Sequence, residues 1–112
     1  MKIFEIFDCN KVLYKLWNDK TELPLGVGFK IYENIKAFNE VENYVFSIMK
    51  DLYGDEWVDK LENEKEIGEW YDRLMSTEVS PEVKKIEKET FLENNSIKLS
   101  LEDIEKISLI LE

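Results

Sequence analysis

The chain has 112 residues, a net charge of −10, 44% hydrophobic and 36% charged residues. That is one domain's worth of core, too apolar for a disordered chain and too acidic for direct phosphate binding, which needs clustered Lys and Arg. His is absent, which removes the commonest general base and metal ligand, and with them the triads and zinc sites built on it. Cys9 is the single cysteine; no internal disulfide forms, the thiol has no activating His partner, and a small core residue is the expected role. Arg73 is the single arginine, so bidentate clamps on phosphate or carboxylate are scarce. These totals argue against an enzyme and for no cofactor and no resident metal.

Charge is unevenly placed. Residues 1–50 balance seven acids with seven bases, residues 51–72 set nine acids against Lys60 and Lys65, and residues 73–112 set nine acids against six bases. The opening MKIFEIFDCNK has neither the apolar stretch nor the cleavage site of a signal peptide, and no apolar run is long enough to span a bilayer. The expectation is a cytoplasmic protein without membrane contact.

In chain order, Lys2–Phe7 reads as a short strand, although its apolar side chains do not alternate cleanly. Asp8 or Asn10 then caps a helix over about 11–18 that carries Val12, Leu13, Leu16 and Trp17. The polar DKTE at 19–22 is a turn. From Pro24 to Tyr53 runs the dominant feature, an apolar heptad with Ile31, Phe38, Val45 and Leu52 at one position and Val27, Val41 and Ile48 at the other. Such spacing puts the side chains on one stripe of a helix about 45 Å long at 1.5 Å per residue. A helix of that length needs partners, from this chain or another. Asn34 is the one polar residue on the seam, suited to bonding a turn or fixing register. Gly26 and Gly28 inside its start suggest fraying or close approach by another element. LGVG lacks the third glycine and the Lys-Ser/Thr of a phosphate loop.

Gly54 closes this helix as a left-handed C-terminal residue. The acidic segment begins with a helical turn near Trp57–Leu61. A helix over about 64–76 follows, with Ile67, Trp70, Tyr71, Leu74 and Met75 on one face. Ser80-Pro81 imposes extended backbone, and residues 83–91, with Val83 and Ile86 inward, read as strand or as helix. Ser100 with Asp103 forms a capping-box pattern ahead of a mostly buried helix over about 101–111. The expected architecture is a single mainly α domain over residues 1–112. Its long central helix, about 24–53, is packed by shorter helices at about 11–18, 64–76 and 101–111. A small β element at 2–7, at 83–91 or at both completes it.

Chemistry has few places to reside. Asp51, Asp55, Glu56 and Asp59 supply the oxygens a hard cation prefers, but the EF-hand pattern is missing and acidic runs of this kind form solvated surface. Trp70 and Tyr71 read as core, whereas Trp57, set among charges, reads as an exposed anchor of the type enriched at interfaces. Asp55, Glu56, Trp57, Asp59, Glu62, Glu66 and Glu69 are therefore the candidate partner-binding set, an acidic rim that orients a basic partner.

Leu23-Pro24 opens the long helix, Lys30-Ile31 and Asn34-Ile35-Lys36 lie inside it, and Tyr53-Gly54 closes it. Leu74, Thr77-Glu78-Val79 and then Leu99-Ser100 follow in order, so the set spans roughly residues 20–112. In these features the chain resembles a loose family of short, mainly helical proteins encoded by bacteriophages and prophages. KIFEIFDC and the Trp57 region depart from the pattern. The resemblance implies a phage origin, the host cytoplasm and a non-enzymatic role, and it carries no catalytic residue across. The function expected is stoichiometric binding that inhibits a host anti-defence or nucleic-acid-handling protein, the acidic face occupying a groove made for nucleic acid. The alternative is a virion, tail or assembly component that oligomerises through the seam of helix 24–53.

Overall fold

The computed structural model describes residues 1–18, 23–93 and 99–112, the side chains of Leu92 and Glu93 apart. The expected turn at 19–22 lies outside the described residues. The elements are α1 (Ile3–Asn18), α2 (Leu25–Tyr53), α3 (Trp57–Asn63), α4 (Lys65–Met75), α5 (Glu89–Glu93) and α6 (Leu101–Lys106), followed by a 3-10 turn at Ser108–Ile110. At 29 residues α2 sets the long axis of a body measuring 46 × 23 × 23 Å. The radius of gyration is 15.9 Å, against about 13 Å for a compact chain of this length.

Residues 2–7 are not a strand: α1 is one helix from Ile3. Ile3, Ile6, Cys9, Leu13 and Leu16 recur every three or four residues and are all buried, a helical period that overrides the β-branched composition of the opening residues. Neither Asp8 nor Asn10 caps it. Instead the Glu5 carboxylate accepts from the Lys2 N–H at 2.7 Å, half of a capping box formed about two helical turns earlier. Among the described residues no strand forms at 83–91 either. Among the described residues, strand-like backbone pairing is limited to isolated bridges, Lys2 with Glu78 and Ile86 with Leu111.

That second bridge shortens the terminal helix. Ile86 donates to the Ile110 carbonyl at 2.8 Å and accepts from Glu112 at 3.0 Å, so the backbone of 110–112 serves the extended segment rather than a helix through residue 111. The Ser100–Asp103 capping box is present. Leu101, expected in the buried set, is 81% exposed, because it precedes the turn that aims Ile107 and Ile110 inward.

The heptad of α2 does not stay on one side of the helix. A straight α-helix turns about 20° past a seven-residue repeat at each heptad. Ile31 and Phe38 are buried against α1 and the C-terminal segment, and Val45 against Ile3 of α1 and Ile67 of α4. Val41 and Ile48 drift to the flank, and Leu52 ends 55% exposed. Ile35 and Met49, off the heptad, are buried in their place. Asn34 is fully buried and clamps the extended segment at one residue: its amide donates to the Lys84 carbonyl at 2.9 Å and accepts from the Lys84 N–H at 2.8 Å. Gly54 ends α2 at φ 88°, where glycine pays no steric cost. Gly26 and Gly28 have open space where a Cβ would stand, so no element approaches them closely.

Candidate protein-binding surface

The acidic segment, residues 51–72, runs from the end of α2 through α3 into α4, and all nine of its carboxylates are exposed. Asp55 and Glu56 lie in the turn before α3, Asp59 and Glu62 on α3, Glu66 and Glu69 on α4. Lys50 reaches Asp55 at 3.3 Å and Lys65 reaches Glu69 at 3.8 Å, both pairs in full solvent, where such pairs neutralise little. The remaining cation of the segment, Lys60, donates to the Tyr53 carbonyl at 2.9 Å, a favourable place for a positive charge at the C-terminal end of α2.

Trp57 does not stand out as an anchor. It is half-buried, stacked on Phe46 at 5.9 Å and tilted against Tyr71 at 6.1 Å. Phe46 in turn meets the edge of Phe7 at 5.8 Å, and Trp70 meets Tyr53 at 6.3 Å. This aromatic row fastens the acidic helices to α1 and α2. α3 buries none of its residues, and Val58 is 52% exposed. With Trp57 facing inward, Val58 falls one position round the helix, on the side of Asp55 and Glu62. The sequence pattern hid this inversion, since a lone Val between Trp and Asp signals neither core nor interface.

A second feature is an open groove of about 600 Å³ along α2. Val41, Tyr44 and Ile48 form its floor, Leu74, Val79 and Pro81 the opposite wall, and Lys36, Glu40, Glu82 and Lys84 its rim. Sequence analysis placed Val41 and Ile48 inside the seam and did not single out Tyr44, which is 73% exposed.

A third feature is a polar patch between α1 and α2. Asn10, 1% exposed, donates to Oδ1 of Asn39 and Oε2 of Glu42, each at 3.0 Å, and the Asn39 amide donates to the Tyr14 hydroxyl at 2.8 Å. Among the described residues Asn10 Oδ1 has no hydrogen-bond partner. Burial raises the pKa of Glu42 above the ordinary carboxylate value, while the Asn10 hydrogen bond and the nearby charge of Lys11 oppose the rise.

Burial pushes the Cys9 thiol up to about 12, so it is a protonated core residue at neutral pH and no nucleophile. Asp51, Asp55, Glu56 and Asp59 do not converge: among the described residues no three acidic or thiol groups are placed to hold a metal ion. Among the described residues no helix is long and apolar enough to cross a membrane. No protein-family model, curated protein or solved structure matches the chain.

Proposed function

We propose that the chain is a non-enzymatic binding protein whose acidic end docks on a basic surface of another protein. The observation that carries the reading is the exposure of all nine carboxylates of residues 51–72, which run from the last turn of α2 through α3 into α4, with α3 burying nothing. α4 supplies the anchorage and α3 the display. A partner surface evolved to hold nucleic acid offers the complementary charge, and the resemblance to small phage proteins makes a host anti-defence or nucleic-acid-handling protein the target class. Self-assembly through the 24–53 seam is less favoured, because Ile31, Phe38 and Val45 are consumed inside the chain.

Affinity capture from host lysate tests the proposal, with the wild-type chain and a triple variant, Asp55→Lys, Glu56→Lys and Asp59→Lys, compared side by side. The three positions are exposed, so the fold should persist. The captured partner should be lost with the triple variant and released by raised salt, as expected of a contact screened over about 8 Å at physiological ionic strength. Capture that survives charge reversal would refute the acidic end as the contact surface.

A further inference from the structure

We propose that the N-terminal tip of α2 seats in the headgroup layer of a phospholipid bilayer, with the acidic end of the rod held out in solution. The tip is separate from the acidic end, whatever that end binds. The 29 residues of α2 make a helix about 43 Å long, close to the 46 Å extent of the molecule. Its first turn therefore lies at one end of the body and the carboxylates of residues 51–72 at the other. Leu25, Phe29 and Tyr32 are 92%, 64% and 49% exposed and share one face of α2 at spacings of four and three. From Leu23 to Phe29 the chain carries no charge, and the first turn of α2 has no acid. Lys30 and Lys36 come next, both exposed, with Lys36 continuing the stripe four residues beyond Tyr32.

The order of these side chains along the axis selects a lipid surface over a protein one. Tyr32 stands about 10 Å and Lys36 about 16 Å behind Leu25. Apolar, amphipathic and cationic groups thus succeed one another over the depth in which acyl chain gives way to ester, phosphate and water. Tyr32 packs against Trp17 of α1 at 5.5 Å, and Trp and Tyr are the residues enriched at that level of a bilayer. Side chains lean toward the N-terminus of a helix, which carries Leu25 and Phe29 past the first amides. Those amides receive no side-chain cap from Pro24, and lipid phosphate and ester oxygens supply acceptors at their depth. The acidic end is roughly 40 Å away along α2, several times the screening length of about 8 Å at physiological salt, so its charge does not repel the surface. Such a contact needs no spanning helix; it departs from the expectation of no membrane contact, which rested on the lack of a spanning segment.

Co-sedimentation of the full chain with phosphatidylcholine vesicles at millimolar lipid is the test. Leu25 and Phe29 together offer somewhat less hydrocarbon than a myristoyl chain, which binds membranes at about 10⁴ M⁻¹, so reversible binding at about 10³–10⁴ M⁻¹ is expected. Leu25→Glu and Phe29→Glu should each weaken it by roughly thirty-fold or more, with helical circular dichroism unchanged. Tyr44→Glu, at a position 73% exposed in the middle of α2, should leave it intact. In Phe29→Trp, lipid brominated near the glycerol end of its acyl chains should quench the added fluorescence. The proposal is overturned by a chain that stays in the supernatant, by binding indifferent to both Leu25→Glu and Phe29→Glu, or by a Phe29→Trp signal that brominated lipid leaves unquenched. A dimer in sedimentation velocity that Leu25→Glu abolishes would overturn it too, assigning the tip to a second copy.

Discussion

The two ends of the rod are built to different standards. Around the first half of α2, buried residues from α1, α2, Ile86, Phe91, Ile107 and Ile110 close into one cluster drawn from five separate stretches of chain. At the other end the fully buried set is Ile3, Val45, Met49 and Ile67, and the rest of the packing is half-buried aromatic and aliphatic surface. That second end also carries the nine exposed carboxylates, whose mutual repulsion the few bases barely offset. Stability is not uniform along a structure, and interaction surfaces are drawn from its weaker part. Here the part proposed to meet a partner is the part with the thinner core.

The largest expected effect comes from emptying the thick end. Phe38 is fully buried, and Phe38→Ala should cost about 3–5 kcal/mol, measured as a drop in the urea midpoint of the whole chain. Amide exchange sharpens the contrast: α3 and the first turn of α4 should exchange by local opening, while α2 around Phe38 exchanges only with global unfolding. Equal protection at the two ends would break the comparison.

Next in size is the clamp that joins the extended segment to α2. Replacing Asn34 with Ala leaves the Lys84 N–H and carbonyl without the bonds they make at 2.8 and 2.9 Å. An unpaired buried polar group costs about 1–3 kcal/mol. Leu in place of Asn34 should recover little of the loss, since volume returns but the hydrogen bonds do not. A variant as stable as wild type would show that residues 81–85 hold their place without the clamp.

Much of this architecture was legible in the residues, and the parts that were not share a physical cause. The long helix, its Gly54 terminus, the Ile67–Met75 face and the Ser100 cap are local signals, written in spacing and cap chemistry. Asn34 announced itself as the polar exception on an apolar seam. The misread strand at 2–7 arose because Ile and Phe satisfy either period over six residues, and only the continuation to Leu16 decides for helix. The groove escaped notice because a heptad on paper has no drift, whereas along α2 it leaves Val41 and Ile48 half-buried at the edge of the core. The inward turn of Trp57 depends on Phe46, eleven positions earlier, and on Tyr71, fourteen later; no local pattern links them.

The smallest effect concerns Glu42, and its sign is informative. Burial raises the folded-state pKa of Glu42, so the folded chain binds its proton more tightly than the unfolded chain does. The contribution of Glu42 to stability is therefore fullest below the ordinary carboxylate range and is lost as pH rises through the raised value. Glu42→Gln keeps an acceptor for Asn10 and removes the charge. It should stabilise the chain at neutral pH, by less than the Asn34 clamp is worth, and the advantage should vanish in acid. Asp103 runs the other way. The hydrogen bond from Lys15 at 2.8 Å holds its pKa down, so its contribution is present at neutral pH and is lost as pH falls through the lowered value. Stability differences between wild type and Glu42→Gln or Asp103→Asn, followed by chemical denaturation across the acid range, should thus have opposite signs at neutral pH. A common sign would mean that the polar patch between α1 and α2 is more hydrated than its burial implies, with water bonded to the otherwise unpartnered Oδ1 of Asn10.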